Sequence, residues 1–174
     1  TITKNNILRT MQSLQVGKAS GNDGIGNNIL KTCAHNLCDP ITYIAQKSVS
    51  EGSFPSSWKQ ASVVPIFKKG DRSIVGNYRP VSLLPCISKV LERQVYNDLY
   101  NFCATNKILS EKNSGFKKND GTINRLIDLT NKIYQGLDDE EEVALVFLDI
   151  SKAFDKIWHK GLLFKLHKIG VRGN

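Results

Sequence analysis

The chain has 174 residues, of which 40% are hydrophobic and 23% are charged, and its formal net charge is +8. This composition is typical of a globular protein, and no apolar run approaches the roughly 18–20 residues that a membrane-spanning helix needs. Four irregularly spaced cysteines exclude a disulfide scaffold.

Basic charge is concentrated in the first two-thirds of the chain. Residues 1–60 carry six Lys/Arg against three acids, and residues 61–120 carry ten against five. Residues 121–174 balance at eight against eight. A basic surface favours a polyanionic partner, most often nucleic acid or nucleotide phosphates.

The N-terminal segment is predicted to be helical. Apolar residues at positions 7, 8, 11 and 14 predict a helix over residues 4–16, with Thr3 as its cap. The glycine-rich loop GKASGNDGIGN follows over residues 17–27. It lacks the glycine spacing and the preceding strand of a nucleotide-binding P-loop, so it is not predicted to be one.

Two further helices are predicted before residue 60. The first covers residues 28–37, and the second covers residues 40–50, with Asp39-Pro40 as its cap and first turn and Gly52 at its end. Cysteines and a histidine lie close together at positions 33, 35 and 38. A structural zinc site needs four ligands, and no second pair is present, so small buried thiols in a helix are the favoured interpretation.

The pattern changes to strands at residue 61. ASVVPIF (61–67) and VSLL (81–84) are short apolar runs, and a basic loop separates them. Pro65 favours an edge strand or a bulge. We predict an antiparallel β-hairpin with a long basic tip and with Arg79 near its base.

Helices and one more strand are predicted in the remainder. They are an amphipathic helix over 87–101, a loop over 114–121, a helix with its apolar stripe at positions 123, 126, 127, 133 and 134, an acidic turn over 138–142, a strand over 143–149 and a helix over 159–169. Helices and strands do not alternate strictly, so the predicted fold class is α+β or mixed.

Asp149 stands at the end of the predicted strand VALVFLD, where four interpretations compete. A Walker B aspartate needs a P-loop, and a phosphatase-type nucleophile needs a second aspartate where Ser151 stands. Asp149 as a cap of the following turn stays open. The fourth interpretation is a ligand in a two-metal phosphoryl-transfer site.

Four segments together resemble one family. FLDISKAFDKIWH (147–159) resembles motif A of the reverse transcriptases of non-LTR (LINE-type, jockey-like) retrotransposons. The other three are GNDGIGNNILK (21–31), similar to the upstream motif of these elements, NYRPVSLLPCISKVLER (77–93), similar to their fingers motif, and SGFKKNDGTINRLIDL (114–129), similar to the segment before motif A. All four stand in family order.

The resemblance implies an α+β fold comprising the fingers and the first part of the palm of a right-hand polymerase, truncated. It divides the chain into a helical N-terminal extension with the upstream motif (1–60), a fingers portion (61–142) and the start of the palm (143–174).

The resemblance also implies roles at the metal site. Asp149 would be the first carboxylate that binds Mg²⁺, and Ile150 would offer its backbone carbonyl to a second Mg²⁺. Phe154 would lie beneath the incoming sugar and leave no room for a 2′-hydroxyl. The alternative for Phe154 is an ordinary core aromatic, and for Asp155 a salt bridge or helix cap is favoured over catalysis.

At the triphosphate, the resemblance assigns Arg79, whose planar charged fork suits phosphate oxygens. Lys68 or Lys69 would add charge, and spacing alone does not choose between them. Gly115 and Phe116 are expected to pack template-side structure.

Three positions depart from the common pattern of this family. Asn113 stands in place of glutamine, Lys117 in place of arginine and Gly26 in place of proline. The chain starts at Thr1 and stops at Asn174, before the motif with the paired aspartates. We therefore expect a fragment that is inactive alone.

The expected function is that of a fragment of an RNA-directed DNA polymerase, which adds deoxynucleotides to a primer by two-metal phosphoryl transfer. Its partners would be an RNA template, a DNA primer and deoxynucleoside triphosphates, with no membrane, and its location intracellular, in nucleus and cytoplasm. The alternative is a non-catalytic nucleic-acid-binding remnant of a degenerate element. A downstream Phe- or Tyr-Ala-Asp-Asp would discriminate the two.

Overall fold

A computed structural model describes residues 2–172, and within this range helices and one small sheet confirm the α+β class. In chain order the elements are α1 (Lys4–Gln12), α2 (Asn27–Thr32), α3 (Ala34–Ser50), β1 (Ser62–Phe67), β2 (Tyr78–Leu83), α4 (Cys86–Thr105), α5 (Thr122–Asp138) and α6 (His159–Lys168), with 3-10 turns at Ser56–Lys59 and Val75–Asn77. None of the described helices combines the length and the apolar character needed to cross a bilayer.

The chain separates into two compact units. The first unit runs to Asn101 and also includes Arg172, and the second runs Phe102–Val171. The two units are defined by the contacts within each of them. The predicted division into residues 1–60, 61–142 and 143–174 is defined by the family motifs, and it stays a prediction.

The first unit is built around one apolar core. Ile7 and Met11 of α1 are fully buried, as the helical stripe predicted, because they are one turn apart on the same face of the helix. Gln94 of α4 donates a hydrogen bond to the hydroxyl of Thr10 over 2.7 Å and ties α4 to α1. The remaining buried members of the core are Ile2, Leu30, Ala34, Cys38, Ile41, Ala45, Trp58, Cys86, Val90 and Leu91.

The predicted start of α3 at Asp39-Pro40 is wrong. The helix begins at Ala34, and Pro40 lies inside it, where its missing N–H leaves one carbonyl without its usual helical donor. Asp39 does not cap the helix and instead forms an ion pair with Lys4, with Nζ and Oδ1 2.8 Å apart. Burial of the apolar face on both sides of Pro40 outweighs the local signal.

Other helix ends follow their local signals more closely. Thr3 caps α1 as predicted, because its hydroxyl oxygen accepts the N–H of Asn6 over 3.2 Å, but α1 ends at Gln12 instead of residue 16. Gly52 ends α3 as predicted. Its φ of 61° is the left-handed conformation that glycine adopts without strain.

The predicted hairpin is confirmed, with β1 and β2 antiparallel. Pro65 lies opposite Pro80, and the Lys68 N–H bonds the Asn77 carbonyl over 2.8 Å. Hydrogen-bonded and non-hydrogen-bonded residue pairs alternate along an antiparallel ladder. Because Lys68 and Asn77 are a hydrogen-bonded pair, Pro65 and Pro80 are a non-hydrogen-bonded pair. Their missing N–H groups therefore face outward, which protects both edges of the sheet. Because β2 begins at Tyr78 and not at residue 81, Arg79 lies inside the strand.

The predicted strand over residues 143–149 is wrong, because residues 141–150 carry no regular secondary structure. A strand requires a neighbour that exchanges backbone hydrogen bonds, and among residues 2–172 the only ladder joins β1 to β2. The apolar side chains of the run are consequently exposed, with Leu148 92% accessible and Val146 81%.

The helices of the second unit also keep apolar faces exposed. The predicted stripe of α5 is largely accessible to solvent, with Ile123, Leu126, Ile127 and Tyr134 all exposed. Helix α6 covers His159–Lys168, close to the predicted 159–169, and Leu162 and Leu163 are exposed as well. Regular helices form here without the burial that completes a core.

We predict that Gly21→Ala destabilises the first unit. A Cβ at Gly21 would collide with backbone atoms at Leu84–Pro85, including the Leu84 carbonyl carbon at 2.6 Å, and backbone cannot rotate away. Overpacking of this kind costs about 1–3 kcal/mol, to be measured by urea unfolding. Gly76→Ala is the matched control, because nothing lies within 4 Å of its added Cβ. Equal stability of the two variants would contradict this.

Candidate functional site

The segment that begins with Asp149 is exposed and ends in a tight turn. Asp149 and Ile150 are both accessible to solvent, Ile150 to 72%. The carbonyl of Lys152 then accepts the N–H groups of Asp155 and Lys156, each over 3.1 Å. Lys152 itself has a φ of 54°, the left-handed conformation that bends the chain between Asp149 and the aromatic residue that follows.

That aromatic residue, Phe154, meets a ring from another motif. The rings of Phe154 and Phe116 pack edge to face, with centroids 5.9 Å apart and planes at 78°. Both rings stay accessible, at 72% and 89%. Such a pair contributes about 0.5–1.5 kcal/mol beyond area burial when well packed. The contact joins two segments that the sequence links only by their order along the chain.

The oxygen donors at Asp149 fit a magnesium ion in kind but not in number. A carboxylate and a backbone carbonyl are the hard oxygen ligands that Mg²⁺ prefers. Within the described part of the chain, however, no group of three or more His, Cys, Asp or Glu side chains is placed to hold a metal ion. Asp149 and Ile150 are therefore a partial ligand set.

The predicted phosphate-binding residues lie at the end of the hairpin next to the connection between β1 and β2. Arg79 is opposite Ile66, and the hydrogen bond from Lys68 to the Asn77 carbonyl continues the ladder. Because side chains alternate between the faces of a strand, Lys68 and Arg79 share one face. Lys69 is the first residue beyond that pair. The structure therefore brings Lys68 to the face of Arg79.

An aromatic cluster on the opposite face holds the hairpin tip. The rings of Phe67 and Tyr78 are 5.5 Å apart and nearly edge to face. The guanidinium carbon of Arg72 lies 4.8 Å from the Phe67 centroid, and the Tyr78 hydroxyl donates to the Arg72 carbonyl over 2.9 Å. The chain that connects β1 to β2 is thus tied back onto both strands.

Asp71 orders the same connection from within. Its Oδ1 accepts the backbone N–H and the hydroxyl of Ser73, each over 2.8 Å, and these two bonds lower the pKa of Asp71. The side-chain amide of Asn77 donates to the Asp71 carbonyl over 2.8 Å. The basic tip therefore has a defined conformation, which reduces the entropy that binding a ligand would cost.

The second unit also contains a polar cluster that was not predicted from the sequence. We call it the Ser114 clasp, and it comprises Ser114, Asp120 and Arg125. Asp120 accepts the Ser114 hydroxyl over 2.7 Å, the Gly121 N–H over 2.8 Å and the Asn124 amide over 3.0 Å. The Ser114 and Asn124 bonds are the main causes that lower the pKa of Asp120 to about 2.

Arg125 completes the clasp from helix α5. Its Nε donates to the Ser114 hydroxyl over 2.7 Å, and its terminal nitrogens reach the Glu111 carbonyl over 2.7 Å and Asp128 over 3.3 Å. Asp120 stands one residue before Gly121, the N-cap of α5, and an aspartate just before an apolar helical stripe is a start signal that sequence alone carries. The reach of Arg125 back to Glu111 has no such local signal.

The assigned residues divide between the two units. Lys68, Lys69 and Arg79 belong to the first unit, whereas Asp149, Ile150 and Phe154 belong to the second.

Comparison with known proteins identifies what the chain resembles. The family profile described as reverse transcriptase (RNA-dependent DNA polymerase) matches residues 66–174. The chain is 33% identical over 164 residues to a probable RNA-directed DNA polymerase from transposon BS of Drosophila melanogaster, and 31% identical over 169 residues to the RNA-directed DNA polymerase from mobile element jockey of the same species.

These matches cover most of this chain but little of the relatives. They include 94% and 97% of the chain and 18% of each of the two proteins. A probable RNA-directed DNA polymerase from transposon X-element of Drosophila melanogaster is 35% identical over 150 residues, or 86% of the chain and 16% of that protein. The chain thus spans about a sixth of the length of these relatives.

We predict that the Ser114 clasp loosens as the pH falls from about 4 to 2. The folded pKa of Asp120 is about 2, below the ordinary 3.8, so its contribution to stability is present above the ordinary value and is lost on protonation. In Ser114→Ala, the carboxyl ¹³C titration of Asp120 should move up toward 3.8. Ser110→Ala is the control, because the Ser110 hydroxyl instead accepts the Lys112 N–H. An unmoved titration in Ser114→Ala would refute the assignment.

Proposed function

The chain belongs to the reverse transcriptase (RNA-dependent DNA polymerase) family, and from that premise we propose that it serves as the fingers and the first part of the palm of a non-LTR retrotransposon polymerase. The observation that carries the proposal is the family match over residues 66–174 together with relatives named as RNA-directed DNA polymerases. The proposed partners are an RNA template, a DNA primer and deoxynucleoside triphosphates, met inside the cell in nucleus and cytoplasm.

The proposed reaction is addition of a deoxynucleotide to a primer end by two-metal phosphoryl transfer. Asp149 would hold Mg²⁺ through its carboxylate, and Ile150 would offer its backbone carbonyl to a second ion. Bound Mg²⁺ supplies Lewis-acid chemistry at the primer hydroxyl and the triphosphate. The exposure of Asp149 supports this role, because a ligand must remain accessible to the nucleotide that completes the site.

Phe154 is proposed to select deoxynucleotides. A ring beneath the incoming sugar would leave no space for a 2′-hydroxyl, the group that separates RNA precursors from DNA precursors. The alternative for Phe154 is an ordinary core aromatic, and the two roles differ in whether a smaller side chain at this position admits ribonucleotides. The edge-to-face contact with Phe116 restricts the orientation of the ring, which a steric gate requires.

Arg79 and Lys68 are proposed to bind the triphosphate. The guanidinium of Arg79 presents a planar fork that matches phosphate oxygens, and Lys68 adds a point charge on the same face of the hairpin. The ordered connection around Asp71 supports the role, because a pre-organised basic tip loses little entropy on binding.

A non-catalytic nucleic-acid-binding remnant is the second candidate. The partial set of metal ligands at Asp149 and the basic hairpin tip are compatible with it. The two candidates differ in one respect, because only the enzyme loses a reaction when Asp149 loses its charge.

We predict that Asp149→Asn abolishes primer extension in the full-length protein that carries this segment. Loss of one contact to a transition-state charge lowers the rate by roughly a hundredfold to a thousandfold. The measurement is Mg²⁺-dependent deoxynucleotide incorporation on a primed RNA template. Asp155→Asn is the control from the same segment, with an expected loss below about tenfold. Extension by Asp149→Asn near the wild-type rate would leave Asp149 a structural residue.

We also predict that Lys68→Ala weakens nucleotide use more than Lys69→Ala. The register places Lys68 on the face of Arg79, whereas Lys69 lies beyond the last backbone pair. Loss of one charge-assisted phosphate contact should raise the KM for deoxynucleotides about tenfold. Lys69→Ala, with the same loss of charge, should change KM less than about twofold. The opposite order of KM values would show that Lys69 is the phosphate ligand.

A further inference from the structure

The loop that the Ser114 clasp encloses carries the features of a surface for a polyanion. Residues 115–119 read GFKKN, and Lys117 and Lys118 are adjacent. They line one shallow cleft of about 410 Å³ together with Asn119 and the clasp. Phe116 is 89% exposed beside the two lysines. Exposed aromatic rings next to basic side chains are the combination that single-stranded nucleic acids bind.

The loop backbone is held in a conformation that its residues do not favour. Phe116 and Asn119 both have a φ of 60°, in the left-handed region. Asparagine tolerates this region, whereas a bulky residue such as phenylalanine is a genuine outlier there. Strain of this kind persists only where the surrounding structure over-determines it, and it concentrates at functional sites.

The hydrogen bonds of the clasp hold the loop in this conformation. Ser114 precedes the loop and Asp120 follows it, and their hydrogen bond of 2.7 Å joins the two ends. Arg125 then bonds Ser114 and, beyond it, the carbonyl of Glu111. Three segments of chain, before the loop, after the loop and in α5, are therefore fixed to one another.

Both charged residues of the clasp have hydrogen-bond partners within the second unit. Asp120 accepts three hydrogen bonds, and Asp128 is shared between Arg125 at 3.3 Å and Lys132 at 3.0 Å. The donors of Arg125 are directed at Ser114, Glu111 and Asp128. The positive charge that residues 115–119 contribute to the cleft is that of Lys117 and Lys118.

We propose that Arg125 is a positioning residue, which holds the loop so that Lys117 and Lys118 contact the phosphate backbone of a single-stranded nucleic acid. The inference rests on the proposed function, since it takes nucleic acid as the partner. Arg125 does not touch the strand. Its effect on binding passes through the two lysines, and this separates it from a residue that binds phosphate directly.

The test measures binding of the 174-residue chain to a short, unstructured, fluorescein-labelled single-stranded RNA by fluorescence anisotropy over a range of salt concentrations. The variants are Arg125→Gln, the double variant Lys117→Gln/Lys118→Gln, and the triple variant. Lys132→Gln is the matched control, because it removes one positive charge and one bond to Asp128 from the same helix without touching Ser114. Circular dichroism checks that every variant keeps its helices.

Each phosphate contact with a single strand contributes about 0.7 to the slope of log K against log salt. The double variant should therefore lower the slope by about 1.4. Arg125→Gln should lower it by a similar amount, although it removes a single charge. In the triple variant, Arg125→Gln should add no further loss, because contacts that are already absent cannot be positioned. Lys132→Gln should leave the slope unchanged.

Two results would overturn the positioning role. A slope loss of about 0.7 in Arg125→Gln that persists in the double-variant background would make Arg125 a direct phosphate ligand. An unchanged slope in Arg125→Gln would make the clasp irrelevant to binding. If the wild-type chain showed no salt-dependent binding, the proposed nucleic-acid surface itself would be contradicted. Failure of the proposed polymerase role is a separate outcome, because it is read from primer extension in the full-length protein.

Discussion

The first unit depends on burial of its one apolar core, to which α1, α3 and α4 all contribute. Ile7 and Met11 are fully buried in this core, and so is Val90 of α4. At a typical hydrophobic gain of about 1.5–3 kcal/mol for each large side chain buried, these residues outweigh weaker local preferences. One consequence is visible in α3, which continues through Pro40 because residues on both sides of the proline reach the core.

Beside the same core, the glycine-rich loop (17–27) packs against the segment that follows the hairpin. Gly21 approaches the backbone at Leu84–Pro85 so closely that a Cβ has no room there. The sulfur of Cys86 is 3.9 Å from the Ala19 carbonyl in the same region. The resemblance identified this loop as an upstream motif, and the packing gives it a physical role, which is to hold the segment between β2 and α4.

The basic loops are ordered by polar bonds and aromatic contacts, not by burial. In the hairpin, Asp71 and the Phe67–Tyr78 pair fix the connection. In the second unit, the Ser114 clasp fixes residues 115–119. Both devices fix the backbone around the lysines without burying these side chains, and the proposed phosphate contacts require such an arrangement. In the same unit, exposed apolar side chains around Leu148 show how little burial stabilises the segment of Asp149.

Sequence by itself determined the elements whose signals are local. The stripe at Ile7 and Met11, the cap at Thr3 and the two apolar runs of the hairpin each predicted an element that the structure contains. Four motifs in order were also enough to identify the family, because order along the chain is itself sequence information. These features depend on neighbours in the chain, so no tertiary contact was needed to find them.

Tertiary structure decided what depends on distant partners. Residues 143–149 have the composition of a strand, but a strand exists only beside a paired backbone, which no described segment provides. The face that Lys68 shares with Arg79 follows from the register of the hairpin, which spacing alone left open. Arg125 closes its clasp across eleven residues to Ser114, and no local pattern encodes that reach. In each case the deciding interaction joins atoms that are far apart in the chain.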